Sequence, residues 1–297
     1  MLGQLDMFGN DKVETAIKRI KTFEPEEGYY LAFSGGKDSV VIKALADMAG
    51  VKYDAHYNVT SVDPPELVQF VKSFPDVEFN RPTYSDTFKH EHMRGKQITM
   101  WNLIPYKVTP PIRITRYCCF WLKEHGGEGR FVITGVRKSE SVRRAQSRSG
   151  LELGDTERGE RERLDPDNPS QELTHICPTK AQRILNPIID WTTEEVWEFI
   201  HKYNVPYCEL YDKGYTRLGC IGCCMSNKAG EELEKYPKIK QAYMRAFERM
   251  LKRRKERGLE TRWQNAEEVY RWWLQWNKPD NPEDPEALEW GLGEDEI

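Results

Sequence analysis

The run Ser34-Gly35-Gly36-Lys37-Asp38-Ser39 constrains this chain more than any other segment. The apolar stretch Tyr29-Tyr30-Leu31-Ala32-Phe33 precedes it and Val40-Val41-Ile42-Lys43-Ala44-Leu45-Ala46 follows it, so the order reads strand, tight glycine turn, helix. Gly35 and Gly36 remove the Cβ atoms that would keep backbone N–H groups from converging on an anion. The helix start adds unpaired donors and the positive end of a macrodipole. Lys37 adds a mobile point charge, and the Ser34 and Ser39 hydroxyls can donate to phosphate oxygens. The longer G-x-x-x-x-G-K-[ST] spacing of a Walker loop is not met, so this is not the usual nucleoside-triphosphatase signature. The alternative is a surface turn that merely contains Gly, Lys and Ser, and the flanking strand and helix argue against it.

At 297 residues the chain has room for one large α/β domain, alone or with a smaller appendage. Charged residues make up 31% and hydrophobic residues 38%, with a mean hydropathy of -0.75, so a core fits beneath a very polar surface. A formal net charge of -4 excludes a globally basic nucleic-acid coat, and any such contact needs a local patch. No apolar run reaches the ~18 residues of a transmembrane helix. Met1 to Phe8 lacks the charged-then-apolar order of a signal peptide. The expectation is a soluble, cytoplasmic protein with no membrane partner. Seven cysteines in a large intracellular chain speak for metal or redox chemistry before disulfides.

Val13, Ile17 and Ile20 predict a helix over 12–22, and after the glycine loop a strand over 52–59, a helix over 64–74 and a short strand over 77–79. This alternation predicts a doubly wound, mostly parallel α/β sheet, Rossmann-like in rhythm. Ligands of such sheets sit beyond the carboxyl ends of the strands, which places Ser34–Ser39, Thr60, Asp63 and Gly135 around one crevice. Further strands are expected at 130–135 and 186–189, with a mobile polar loop over 143–171 between them. Thr192 and Glu195 form a capping box for a helix over 191–203, and a basic amphipathic helix over 235–257 carries Ile239, Tyr243, Phe247 and Met250 on one side. Trp263, Trp272, Trp273 and Trp276 are expected to pack back on the body, and the acidic, Pro-rich 278–297 to be loosely ordered. The division expected is a nucleotide-binding α/β domain over 1–204 and a cysteine-motif and helical extension over 205–297.

Cys118-Cys119 and Cys220-Ile221-Gly222-Cys223-Cys224 together supply four thiolates, enough for an iron–sulfur cluster or zinc. Adjacent cysteines suit different irons of a cluster better than one tetrahedral zinc. Cys177 and Cys208 read as buried free thiols, and Cys224 as a spare ligand or sulfur carrier. Arg137, just past the strand ending at Gly135, and Arg144 are placed to grip phosphates or a leaving group. Lys213 and Arg217, leading into Cys220, are further anion ligands.

These pieces resemble the phosphoadenosine-phosphosulfate (PAPS) reductase family, within the adenine-nucleotide alpha-hydrolase-like fold, and Ser34–Ser39 is similar to the SGGxDS pyrophosphate (PP) loop of ATP pyrophosphatases. The matching pieces are Ser34–Ser39, Cys118-Cys119, Gly135-x-Arg137-x-x-Glu140-Ser141, Asn186 through Thr192, and Tyr211 through Cys223, in family order over about residues 25–226. The resemblance implies an adenine nucleotide with its phosphates on Ser34–Ser39. Cys-Cys … Cys-x-x-Cys is similar to the [4Fe–4S] signature of the adenylyl-sulfate reductase branch, which implies a cluster on Cys118, Cys119, Cys220 and Cys223. The departure is a tail without the ECG-x-H-like cysteine of the sulfonucleotide reductases, since no cysteine follows Cys224. A thiosulfonate intermediate requires a thiolate.

Two enzyme readings follow. In the first, an ATP pyrophosphatase adenylates an acceptor and sulfur displaces AMP, as in families resembling the DNA phosphorothioation protein DndC or the tRNA thiolases. Lys37 then stabilises departing pyrophosphate and Asp38 holds Mg²⁺, the acceptor is DNA or tRNA, and a donor such as a cysteine desulfurase supplies sulfur. In the second, a sulfonucleotide reductase draws its thiol from Cys177, Cys208, Cys224 or another subunit, in a homo-oligomer or otherwise. A non-catalytic nucleotide-binding module is the third. Arg253, Arg254 and Lys255 belong to the basic helix that a nucleic-acid acceptor would contact.

Overall fold

Asp11 caps the first helix, its carboxylate accepting from the N–H groups of Val13 at 2.8 Å and Glu14 at 3.3 Å, and so fixes where α1 (Lys12–Thr22) begins. The computed structural model describes residues 11–124, 126–154, 161–168 and 182–276. The chain divides into two compact units: 1–57, 65–80 and 126–218 in the first, 58–64, 81–125 and 219–297 in the second. They are interleaved in sequence, whereas the sequence reading drew one boundary at 204/205.

The first unit is built on seven strands: β1 (Tyr29–Ala32), β2 (Tyr53–Asn58), β3 (Val77–Asn80), β4 (Phe131–Ile133), β5 (Leu151–Gly154), β6 (Arg161–Leu164) and β7 (Gln182–Leu185), in the order β3-β2-β1-β4-β7-β5-β6. β1 runs parallel to β2, with Leu31 opposite Ala55, and to β4, with Leu31 opposite Ile133; β4 runs parallel to β7, with Ile133 opposite Leu185. Leu31, Ile133 and Leu185 are fully buried, as central strands covered on both faces require. α2 (Lys37–Ala49) packs on α1 and on a helix over Thr193–Lys202, and α3 (Pro65–Lys72) connects β2 to β3. The mostly parallel α/β sheet is thus as expected. The capping box closes as read, with Glu195 N–H donating to Thr192 Oγ1 at 3.3 Å and Thr192 N–H to Glu195 Oε2 at 2.7 Å.

Two expectations are corrected. Residues 186–189 form a turn, with Ile189 N–H donating to Asn186 O; Pro187 has no donor for a ladder, and the strand lies just before it, at β7. The segment over 143–171 is structured in its described parts: α4 (Val142–Ser147), then β5 and β6 paired antiparallel, with β5 also antiparallel to β7. Its charges misled because some are buried and paired. Glu152 is fully buried, accepting from Arg148 Nη1 at 2.6 Å and Asn186 Nδ2 at 3.0 Å.

In the second unit, with α5 being Thr193–Lys202, the helices are α6 (Ala229–Lys235), α7 (Pro237–Glu256) and α8 (Ala266–Trp276). Tyr243, Phe247 and Met250 of α7 are buried with Trp273 of α8, Leu103 and Ile98, each large side chain contributing about 1.5–3 kcal/mol of transfer free energy. Trp273 Nε1 donates to Pro111 O at 2.8 Å, and Trp263 is buried with Trp272 against its ring at 4.9 Å. The Trp276 side chain, Cys177 and 278–297 lie outside the described residues. No helix among the described residues is long and apolar enough to cross a membrane.

Candidate functional site

The loop after β1 depends on its glycines. Gly35 has φ +71°, and a Cβ there would lie 2.7 Å from Val71 Cγ2 and 2.8 Å from Leu67 Cδ1 of α3. Gly36 is the N-cap of α2 with no side-chain cap, so the first-turn N–H groups have no intrahelical acceptor. Ser39 Oγ donates to Gly36 O at 2.9 Å and lies 3.2 Å from Ser34 Oγ. Gly135 is required by contact: a Cβ there would meet the Asp38 carbonyl at 2.8 Å. The end of β4 therefore abuts the first turn of α2, as the parallel-sheet reading placed it.

Three charges interlock behind the loop. Lys37 is buried, its Nζ 3.3 Å from Asp38 Oδ2, and Arg137 Nε donates to Asp38 Oδ1 at 2.7 Å. Arg137 is 1% exposed. Its Nη1 donates to Ser139 Oγ at 2.7 Å, Trp191 O at 3.3 Å and Thr193 Oγ1 at 3.4 Å. The expectation of a guanidinium reaching into an open crevice is corrected by this burial: four acceptors from three segments hold it inside, where it orients Asp38. Arg144 pairs with Glu140, which also accepts from Arg137 N–H at 3.0 Å. Lys213 pairs with Glu209 at 2.7 Å, while Arg217 is exposed with no hydrogen-bond partner among the described residues.

Tyr211 was missed. Its hydroxyl accepts the Lys37 backbone N–H at 2.8 Å, the donor an anion on this loop would use, and Lys37 Nζ lies 5.9 Å from its ring. Trp197 braces the ring edge-on at 5.0 Å. Burial is the largest cause raising the phenol pKa, so the hydroxyl stays protonated. The only signal in the sequence is its place at the head of the Tyr211–Cys223 segment.

In the second unit Cys118, Cys119, Cys220, Cys223 and Cys224 line one cavity of about 40 Å³. Cys118 and Cys119 sit in a single helical turn, Tyr117–Cys119, and Gly222 between the later cysteines has φ +68°, where a Cβ would come within 3.1 Å of Trp273. A hydrogen bond from Cys118 is the largest cause lowering Cys119 to about 7, with Lys123 and Arg116 adding to it. Burial raises Cys220, and the Cys220 charge raises Lys123 in turn. No group of three or more His, Cys, Asp or Glu arranged to hold a metal ion is found among the described residues. Thr60 and Asp63 belong to this second unit: Cys220 Sγ lies 3.6 Å from Thr60 Oγ1 and 4.0 Å from Asp63 Oδ1, and Thr60 N–H donates to Asp63 Oδ2 at 3.0 Å. Their expected place among loop ligands is corrected accordingly. Both stand on the segment over 58–64, which clusters with the cysteines.

Comparison with known proteins follows from this geometry. A probable FAD synthase of Schizosaccharomyces pombe is 27% identical over 215 residues, 70% of this chain and 64% of that protein. An adenosine 5'-phosphosulfate reductase of Neisseria meningitidis is 46% identical over 48 residues, 16% of this chain and 20% of that protein. The chain thus spans less than two thirds of either relative. A crystal structure of phosphoadenylyl-sulfate reductase from Candida auris aligns at TM-score 0.44 and 17% identity, over 70% of this chain and 87% of that one. The phosphoadenosine phosphosulfate reductase domain matches residues 28–226, from the strand before the glycine loop to just past the last cysteine, and the chain belongs to that family.

Proposed function

We propose that this chain is a PP-loop enzyme that binds ATP, releases pyrophosphate and adenylates an acceptor for sulfur transfer, the acceptor being a nucleic acid. The observation that carries the reading is the uncapped start of α2 at Gly36, with Lys37 buried beside it and Asp38 held in register by Arg137. The β- and γ-phosphates seat on the N–H groups of Ser34–Ser39, displacing the Tyr211 hydroxyl from Lys37 N–H. The acceptor atom attacks the α-phosphorus and its bond to the β-bridging oxygen breaks. Pyrophosphate leaves against the Lys37 ammonium, and AMP stays on the acceptor. A persulfide sulfur from a donor protein then displaces AMP. Asp38 uses one lone pair on each oxygen for its cations and is 20% exposed, so it retains capacity for Mg²⁺, directly or through water. Mg²⁺ when bound supplies charge neutralisation on the phosphates.

The donor set fits a [4Fe–4S] cluster on Cys118, Cys119, Cys220 and Cys223, because the thiols ring a cavity and two of them are adjacent. Zinc is the alternative. Reduced thiols and a cluster belong in the cytoplasm. FAD and adenosine 5'-phosphosulfate, named in the relatives, are both adenine nucleotides, which supports the nucleotide class.

The second reading, a sulfonucleotide reductase, is favoured by the 46% identical segment. It needs an accessible thiolate beyond the four ligands. Cys208 is fully buried, with its thiol raised by desolvation, and Cys224 is 3% exposed, so neither described thiol offers one. The test is a product assay on anaerobically purified protein. Pyrophosphate from ATP supports the proposal and sulfite from a sulfonucleotide overturns it in favour of the reductase. Neither product, with nucleotide still bound, overturns it in favour of a binding module.

A further inference from the structure

The largest cavity described in the second unit, about 290 Å³, is unrelated to the cysteines. Its lining includes His92, Lys96, Tyr106, Arg249 and Arg253 and, among the described residues, no carboxylate. A chain with a net charge of -4 concentrates here three fixed cations and an imidazole around one ring. The Arg253 guanidinium lies 4.0 Å from the Tyr106 ring centroid, and His92 Nε2 is 2.6 Å from the Tyr106 hydroxyl. His90 packs on the same ring at 5.1 Å. The site therefore offers planar faces beside phosphate donors, the pairing that single-stranded nucleic acid uses. Its volume lies at the lower end of ligand cavities, ~300–1,000 Å³, and suits one nucleotide unit.

The surface beyond the cavity favours a polymer over a free nucleotide. Arg245, Arg249, Lys252 and Arg253 recur at i, i+4, i+7 and i+8 on α7, one helical face about 12 Å long. Arg245, Arg249 and Lys252 are exposed. Glu256 shares this face and lies 3.8 Å from Lys252, an exposed contact that leaves the stripe strongly positive. Compensation of the helix dipole accounts for basic residues in the last turn. It does not account for Arg245 and Arg249 further back, nor for Lys96, which is on no helix.

We propose that this cavity and the α7 stripe bind a single-stranded nucleic-acid segment, one base lying against the Tyr106 and Arg253 planes and its flanking phosphates on Lys96, Arg249 and Arg245. The inference rests on the acceptor class of the proposed function for its meaning, and on the second unit alone for its evidence. Binding is measured without ATP, so its failure and the failure of pyrophosphate release are distinguishable.

The probes are 5'-fluorescein dT12 and rA12, titrated by anisotropy between 50 and 300 mM salt, with thermal melting of every variant. Arg249→Gln/Arg253→Gln should weaken binding at least about tenfold. It should also flatten the log K against log salt slope by about 1.4, at ~0.7 per single-strand phosphate. Because Arg253 packs on Tyr106, Lys96→Gln/Arg245→Gln, at exposed positions, is the second test, with the same direction expected and an unchanged melting temperature. Lys72→Gln in the first unit should change nothing. Absence of wild-type binding at 50 mM salt would overturn the proposal, as would equal binding by both double variants. Competition by AMP or polyglutamate as effective as that by unlabelled dT12 would also overturn it, in favour of a mononucleotide site or of charge alone.

Discussion

Arg137→Gln separates a guanidinium that organises the loop from one that merely meets a ligand. In the free protein Arg137 is 1% exposed and bonds Asp38, Ser139, Trp191 O and Thr193. Breaking a buried ion pair from one side costs ~3–5 kcal/mol. Asp38 is 20% exposed and retains Lys37 at 3.3 Å, which puts the expected loss at the lower end, about 3 kcal/mol. At ~2–4 °C per kcal/mol for domains of this size, the melting temperature of nucleotide-free protein should fall by roughly 6–12 °C. A guanidinium held only by a future ligand would leave stability within ~0.5 kcal/mol. The assay is calorimetry on wild type, Arg137→Gln, Asp38→Asn and the double variant, and the double should be less than additive by ~0.5–3 kcal/mol because the pair is in direct contact. An unchanged melting temperature in Arg137→Gln, or strict additivity, would refute the interlocked arrangement of Lys37, Asp38 and Arg137.

Other expectations follow from the same geometry. Lys37→Ala removes a charge-assisted contact worth about 1.5–3 kcal/mol, so ATP affinity or turnover should drop at least tenfold by calorimetry or product assay; unchanged values would move the phosphates off this loop. Tyr211→Phe frees the Lys37 N–H without a competing bond of ~0.5–1.5 kcal/mol, so ATP should bind up to about tenfold more tightly, while a loss of affinity would make Tyr211 itself a ligand. Cys223→Ser should abolish the brown colour of anaerobic protein and its iron and sulfide content, and lower the melting temperature. Stoichiometric zinc without iron in the wild type would contradict the cluster.

The strand, glycine turn and helix around Ser34–Ser39 were legible because each signal is local. Gly35 must take a positive φ beside Leu67 and Val71, the apolar flanks differ in period, and Thr192 with Glu195 marks a helix start three residues apart. What depends on partners distant in sequence was not. Arg137 reads as a solvated charge until Asp38, Trp191 and Thr193 surround it. The hairpin of β5 and β6 reads as a polar loop because nothing local says that Glu152 will find Arg148 and Asn186. Thr60 and Asp63 sit at the end of β2, where strand logic makes them ligands of the loop, yet their backbone joins the thiol unit. Tyr211 shows the same limit: a phenol that accepts one backbone N–H leaves no composition or period to read.

The bond broken in ATP tests the central claim most directly. Anaerobic protein is incubated with ATP labelled at the α-phosphorus and Mg²⁺, with and without single-stranded DNA or tRNA, and products are separated by chromatography. The account predicts label in AMP or in an adenylated acceptor, unlabelled pyrophosphate in equal amount, and loss of both in Lys37→Ala. Label appearing in ADP, with inorganic phosphate released, would contradict it.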